Sequence, residues 1–274
     1  MQSATSRESY AAVTERLAAF VAGSAPAAIA ATADDILSVA DLLRRQPRLR
    51  RALSDPARAA ADRVDLLRGL LAGKVTAEAV ELLAAVVTAR WSRPSELLDA
   101  TERLGVDAVL AGAESAGDLI EVEDELFRFG KIIDGDAQLG AAIGDSSVAV
   151  DRRVELVRGL LAGKAKPATI RLADQAVRGF GGRNASAGLS RLVELAAQRR
   201  DRQVAHVTVA AALTEAQEQR LGATLTGMYG RDVSVKLTVD PAVLGGMSVR
   251  IGSDLYDGTV RRRLIDTRKA LAGR

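Results

Sequence analysis

The heptapeptide RGLLAGK occurs twice in this chain of 274 residues, at positions 68–74 and 158–164. Each copy ends in the Gly-Lys pair found in phosphate-binding loops, whose pattern is G-x-x-x-x-G-K-[ST]. Here only three residues separate Gly69 from Gly73, and the lysine is followed by Val75 in one copy and Ala165 in the other. Both copies therefore lack the glycine spacing and the hydroxyl that nucleotide binding requires.

The residues around the motif favour the end of a helix. Val64, Leu67 and Leu71 have the spacing of apolar side chains on one helix face. Gly73 follows the last of them, where a left-handed backbone conformation costs glycine least. We interpret RGLLAGK as a helix end.

The similarity extends well beyond the motif when the sequence is shifted by 90 positions. Residues 34–87 then align with residues 124–177. The first halves of the two segments share a pattern of apolar residues, and the second halves share identical residues, including Arg63 and Val64 with their counterparts. A duplicated helical unit is the simplest explanation. Two copies are too few for a long solenoid.

The composition also favours helices. Apolar residues make up 48% of the chain and aromatic residues only 3%, so we expect helices that pack through small and aliphatic side chains. A long amphipathic stretch runs from Pro94 toward Phe129. We predict a mainly α fold, with a helical domain at 1–200 that contains repeat units at about 34–90 and 124–180, and a small α/β domain at 201–274.

The small domain is predicted because the spacing of apolar residues changes from that of helices to the alternation of strands. The segments QVAHVTVAAA, DVSVKLTVD and MSVRI alternate as strands do, and Thr214 is placed to cap a helix between the first two. Before this domain, GFGGRNASAG at 179–188 reads as a linker, although its glycines beside Arg183 also allow an anion-binding nest.

Several kinds of chemistry are excluded or disfavoured. The chain has no cysteine, which excludes disulfides and thiolate chemistry, and its single histidine, His206, excludes a histidine-rich metal site. We predict no catalytic residue, cofactor site or metal site. Charges interrupt every apolar stretch near the N-terminus, so we expect no membrane insertion.

Two alternatives concern charged segments. Glu121, Asp124 and Glu125 suggest either an acid–base site or a solvated helix face, and we favour the second because no nucleophile accompanies them. The Arg-rich run at 44–51 suggests an adaptor that binds nucleic acid through Arg-rich helices. A net charge of only +3 and few aromatic residues favour pairing of these arginines with helix carboxylates instead, and no nucleic-acid partner is expected.

The segment VDPAVLGGMSVRIGSDLYDGTVRRRL at 239–264 resembles the C-terminal signature of the δ subunit of F-type ATP synthase, the bacterial relative of the mitochondrial oligomycin-sensitivity-conferring protein. With VTVAAALTEAQEQRL upstream, the resemblance covers nearly all of residues 203–274. The helical part is similar more loosely, through SRESYAAV and LRRALSDPARAAADRVDLLRGLL. The second helical unit resembles the longer form found in actinobacteria.

This resemblance implies a non-catalytic part of the peripheral stalk, or stator. In that family the helical domain binds the amphipathic N-terminal helix of an α subunit, and the C-terminal domain engages the b subunits. The resemblance also implies contact with other head subunits and a peripheral location at the cytoplasmic face of the cell membrane. Its role is to hold the catalytic head still against rotor torque.

The partner contacts are predicted from apolar stripes and from a basic final helix. A helical array can accept a partner helix through apolar anchors, although the same side chains also suit its own core. The basic helix could meet acidic residues of a b-subunit coiled coil or form an ordinary solvated face. The candidate contacts are Val13, Leu17, Phe20, Leu67, Leu71, Val80 and Leu83 in the helices, and Arg261, Arg262, Arg263, Arg268 and Lys269 in the tail.

Overall fold

The computed structural model describes residues 4–201, 204–211, 213–229, 233–240, 243–251 and 254–264. The chain forms two compact units, residues 1–196 and 197–274. The first is helical, and the second combines helix and sheet. The predicted fold class, mainly α with a small α/β part at the C-terminus, is confirmed.

Prolines mark the starts of several helices before the sheet. Pro26, Pro47, Pro94 and Pro167 each lie in the first turn of a helix, where the missing N–H of proline breaks no hydrogen bond. The helices are α1 (Ala4–Ala22), α2 (Pro26–Arg45), α3 (Pro47–Ser54), α4 (Ala60–Leu71), α5 (Ala77–Thr88), α6 (Pro94–Ser115), α7 (Leu119–Gly135), α8 (Ala137–Gly144), α9 (Val150–Leu161), α10 (Pro167–Val177) and α11 (Ala185–Asp201).

The duplication is visible in the lengths of these helices. Helices α2 to α5 contain 20, 8, 12 and 12 residues, and helices α7 to α10 contain 17, 8, 12 and 11. We call these sets the first copy and the second copy. The long helix α6 lies between them in sequence, and most of its apolar side chains, including Leu104 and Leu110, are buried in a core that both copies share.

Both copies of RGLLAGK end a helix, as predicted. Gly73 and Gly163 follow α4 and α9 with φ angles of 66° and 69°. The next residues, Lys74 and Lys164, each donate a backbone hydrogen bond of 3.0 Å to the last leucine of the helix. The glycines therefore adopt the left-handed conformation that closes a helix C-terminus.

The long amphipathic stretch is divided, and the linker interpretation was wrong. The amphipathic stretch from Pro94 to Phe129 is two helices, because Gly117 adopts a φ of 79° and the Asp118 N–H bonds back to Ala113. The glycine-rich segment is a packed turn rather than a linker: residues 180–182 form a 3₁₀ turn that buries Phe180, and α11 begins soon after it. The spacing of apolar residues along the sequence does not by itself reveal the break between α6 and α7 or the packing of the glycine-rich segment.

The second unit contains a mixed sheet of four strands in the order β2-β1-β3-β4. Strand β1 runs parallel to β2 and antiparallel to β3, and helix α12 contributes the buried Leu225 to the same core. Thr214 caps α12 as predicted, since its hydroxyl accepts from the Gln217 N–H and its own N–H donates to the Gln217 side chain. The elements are β1 (Val204–Val209), α12 (Glu215–Tyr229), β2 (Ser234–Val239), β3 (Met247–Ile251) and β4 (Asp254–Asp257).

Strand β4 was not predicted. All four of its residues are exposed, so it lacks the alternation of apolar and polar residues on which the other assignments rest. It pairs antiparallel with β3 at the edge of the sheet, Tyr256 opposite Val249. Residues 260–264 then form a helical segment whose start is capped by Thr259, the acceptor of the Arg262 N–H.

Candidate protein-binding surfaces

The predicted apolar contacts lie mainly in the core of the first unit. Phe20 and Val80 are partly buried at the edge of that core. The other five leave at most 3% of their surface exposed, so in this conformation a partner would not reach them. Their role as partner contacts stays a prediction. These five are Val13, Leu17, Leu67, Leu71 and Leu83.

The predicted basic contacts lie in the final helical segment. Arg261, Arg262 and Arg263 are exposed there, whereas Arg268 and Lys269 lie outside the described residues. Asp257 precedes the segment, and its pKa is lowered by hydrogen bonds from the Thr259 hydroxyl and from the Thr259 N–H, and by the charges of nearby arginines. Residues 260–264 of the final helical segment therefore present positive charge to solvent.

The acidic cluster on α7 has a structural role. Glu121 pairs with Lys166 at 3.0 Å, Asp124 pairs with Arg128, and Glu125 accepts from the Lys166 N–H at 2.9 Å and from the Thr169 hydroxyl. Since Lys166 and Thr169 lie at the start of α10, Glu125 satisfies donors that the helix itself cannot.

The first copy repeats this arrangement. Asp35, the counterpart of Glu125, accepts from the Thr76 N–H at 2.7 Å just before α5. Both copies therefore use a carboxylate of one helix to cap the last helix of the copy. Because the two copies share this arrangement, the acidic cluster on α7 is better explained as part of a charged helix face with a structural role than as an acid–base site.

Arginines connect the two copies across the helical unit. Arg171 of the second copy forms a bidentate ion pair with Asp34 of the first, one contact being 2.8 Å. Arg45, from the Arg-rich run of the first copy, reaches Asp151 of the second at 3.1 Å. Arg178, in the same copy as Asp151, lies 3.0 Å from that carboxylate. Asp34, Arg171 and Arg178 line a polar cleft of about 480 Å³ between α2 and α10.

Arg44, the first residue of that run, binds a buried carboxylate. Its guanidinium donates to Glu102 at 2.9 Å, and the Gly181 N–H donates to the second oxygen of Glu102 at 2.9 Å. Burial raises the pKa of Glu102, while Arg44 and the Gly181 N–H oppose the rise. The glycine-rich turn therefore supplies one backbone N–H to a carboxylate of the chain itself.

Exposed apolar surface in the helical unit is concentrated on the second copy. Among the described residues of the first copy, Leu66 is the only large apolar side chain that is exposed, at 36%. The second copy exposes six such side chains: Ile120, Phe127, Ile132, Val148, Leu156 and Leu160. Because large apolar patches on soluble proteins often mark contact sites, this copy is the stronger candidate for a partner interface.

Part of this surface is an apolar groove of about 320 Å³ between α7, α8 and α9. Glu125, Arg128 and Lys164 add charge to it, and we call it the second-copy groove. Sequence reasoning missed it, although one signal was present: α8 reads AQLGAAIG without charge, whereas its counterpart α3 reads PRLRRALS. The apolar residues of the groove are Phe129, Ile132, Leu139, Leu160, Leu161 and Ala165.

The α/β unit also exposes apolar side chains. Leu244 is 75% exposed, Leu255 on the edge strand 55%, and Leu264 in the final helical segment 59%. An edge strand carries unpaired backbone groups on its outer side, which can pair with another chain. This unit therefore offers a second candidate surface.

The described residues contain neither a membrane-spanning helix nor a metal-binding cluster. None of their helices is long and apolar enough to cross a membrane. Within the same residues, no group of His, Asp or Glu side chains has an arrangement that could hold a metal ion.

Comparison with known proteins gives consistent matches. The family model described as ATP synthase delta (OSCP) subunit matches residues 106–271, which include the whole second copy and most of the α/β unit. A protein named ATP synthase subunit delta from Salinispora arenicola is 62% identical over 274 residues, the full length of both chains. Its namesake from Salinispora tropica is 59% identical over the same length, and that from Streptomyces griseus is 44% identical over 268 residues, 98% of each chain.

Proposed function

Because this chain belongs to the ATP synthase delta (OSCP) subunit family, we propose that it is the δ subunit of the peripheral stalk of an F-type proton-translocating ATP synthase. In this role it links the catalytic head to the b subunits and resists rotor torque. The observation that carries the proposal is the 62% identity to an ATP synthase subunit delta along the whole of both chains.

The architecture of the helical unit suits a subunit that transmits mechanical force and performs no chemistry. Both copies share one continuous core, and ion pairs such as Arg171 with Asp34 join residues far apart in sequence. Close-packed cores deform little, so force applied at one surface is transmitted through them. We propose that the chain is non-catalytic and that its function depends on protein contacts alone.

The proposed contacts are divided between the two units. The helical unit would bind the N-terminal helix of an α subunit and other parts of the head, and the α/β unit would bind the b subunits. Exposed apolar side chains in each unit, such as Phe127 and Leu255, support two separate interfaces. The complex would place the chain at the cytoplasmic face of the membrane as a peripheral component.

Removal of residues 203–274 tests this division. The shortened chain should keep the helical core, whose residues all precede the deletion, but it should not capture the b subunits. Circular dichroism would verify the fold, and pull-down with purified b subunits would measure capture. Equal capture by the shortened and the full chain would contradict the proposal.

A further inference from the structure

The second-copy groove has the volume and the lining of a site for a small molecule. Its volume of about 320 Å³ lies at the lower end of the range that such sites occupy. The buried Phe129, the half-buried Leu139 and Leu161, and the exposed Ile132 and Leu160 line it. This space holds an alkyl chain, whereas a whole helix, about 10 Å across, does not fit in it.

The corresponding region of the first copy is more closed. Where the second copy has Ala165, the first has Val75, whose larger side chain packs against the core. Ile132 is 56% exposed, but its counterpart Leu42 is only half-buried at the surface. The second copy therefore leaves apolar surface open that the first copy covers.

Two of the three charged residues that line the groove are occupied. Arg128 pairs with Asp124, so the two charges offset each other. Glu125 accepts from the Lys166 N–H at 2.9 Å and from the Thr169 hydroxyl, both at the start of α10. Neither residue is left without a partner of its own.

Lys164 is the third charged residue, and its ammonium group is available to a ligand. Its counterpart Lys74 donates from its ammonium group to the Leu70 carbonyl at 3.0 Å. Within the part of the chain that the structure describes, the Lys164 ammonium group has no ion pair and no hydrogen bond. The groove thus combines an apolar lining with one uncompensated positive charge.

From these observations we propose that the second-copy groove binds a small amphipathic anion, a free medium-chain fatty acid. The alkyl chain lies against Ile132, Leu139 and Leu160, and the carboxylate pairs with Lys164. The first copy, with Lys74 bonded to its own helix, does not bind this ligand. The site stands on the groove itself and does not depend on the proposed role in ATP synthase.

Three probes test the proposal with the purified full-length chain. Equilibrium dialysis with radiolabelled decanoate, below the concentration at which it forms micelles, should show saturable binding of one molecule per chain. Hexanoate should compete at least about tenfold less well, because each fully buried methylene changes affinity by about fourfold. Decyltrimethylammonium has a chain of similar length and a cationic head, so it should also compete at least about tenfold less well. Equal competition by decanoate and decyltrimethylammonium would overturn the proposal.

Matched substitutions locate the site. Leu160→Ser should weaken binding of decanoate about tenfold, whereas Leu66→Ser, at a first-copy leucine that is also 36% exposed, should leave it unchanged. Ala165→Val should weaken binding about threefold or more by filling the groove, and the valine of the first copy shows that the fold accepts this side chain. Thermal melting would verify that each variant folds. Uptake that neither Leu160→Ser nor Ala165→Val reduces would be adsorption elsewhere and would contradict the proposal.

Charge reversal separates the two copies. Lys164→Glu should weaken binding of decanoate at least about fivefold and strengthen that of decyltrimethylammonium, while Lys74→Glu should change neither. The same effect from both substitutions would count against the site. So would sedimentation of the chain with phosphatidylglycerol vesicles in a manner abolished by Leu160→Ser, because the groove would then bind a lipid surface instead of a free fatty acid.

Discussion

At the scale of single residues, the two glycines of RGLLAGK have opposite roles. Gly69 lies within α4 at an exposed position with open space beside it, whereas Gly73 holds a φ of 66° after the helix end. An alanine at Gly73 would occupy a conformation that L-residues disfavour, while an alanine at Gly69 would favour the helix.

We predict that Gly73→Ala lowers the free energy of unfolding by about 1 kcal/mol and that Gly69→Ala raises it by up to about 1 kcal/mol. Urea unfolding of the two variants beside the parent chain would measure both values. The same pair can be made at Gly159 and Gly163 in the second copy. Equal effects at the two glycines of one motif would refute the helix-end interpretation.

The buried carboxyl group of Glu102 makes stability depend on pH. Its pKa is raised in the folded chain by burial, so the folded chain binds this proton more tightly than the unfolded chain does. The group therefore favours folding at acidic pH, and that contribution is lost as the pH rises from the ordinary value of 4.5 through the raised value.

Glu102→Gln should remove this titration. The stability of the parent chain relative to the variant should fall as the pH rises from about 4 to about 7, because only the parent must bury a carboxylate at the higher pH. Unfolding curves at several pH values would measure the difference. A constant difference, or one that grows in favour of the parent chain, would show that Glu102 is not the group responsible.

At the scale of elements, the pairing of α2 with α6 depends on a glycine. A Cβ atom at Gly105 would lie 2.8 Å from Leu37 Cγ, whereas one at Gly112 on the same helix would lie 3.4 Å from Ile29 Cγ2, an ordinary contact. The close approach of the two helices therefore needs a glycine at Gly105 and not at Gly112.

Gly105→Ala should lower the free energy of unfolding by about 1 to 3 kcal/mol, since the new methyl group must displace Leu37 in a packed core. Gly112→Ala should change it by less than about 1 kcal/mol and is the matched control. Thermal unfolding followed by circular dichroism would compare the two. Similar stabilities for both variants would mean that α2 and α6 can move apart at Gly105 without a loss of folding free energy.

The elements also show what the sequence can and cannot predict. The strand at residues 247–251 and the helix end at Gly73 follow from local rules of period and backbone conformation, and both are confirmed. The bond from Gly181 to Glu102 joins residues 79 apart, so no local pattern reveals it. Strand β4 has no buried face and gives no alternation. The second-copy groove depends on how Ala165 packs, which becomes visible only in the folded chain.

At the scale of the whole molecule, the chain combines a helical unit with one continuous core and a small α/β unit, each with exposed apolar surface. The resemblance of residues 239–264 to the δ-subunit signature predicted the family, and the comparisons confirm it. The contact residues were harder to predict, because apolar stripes serve a core and an interface equally well. Five of the seven stripe residues turned out to lie in the core.

We propose that the chain acts through protein contacts as a component of the rotary ATP synthase. The most direct test is to purify the tagged chain from the membranes of its own cells and to identify what accompanies it by mass spectrometry. We expect the α, β and b subunits of ATP synthase in stoichiometric amounts. Recovery of the chain free of every ATP synthase subunit, under conditions that keep the complex intact, would contradict it.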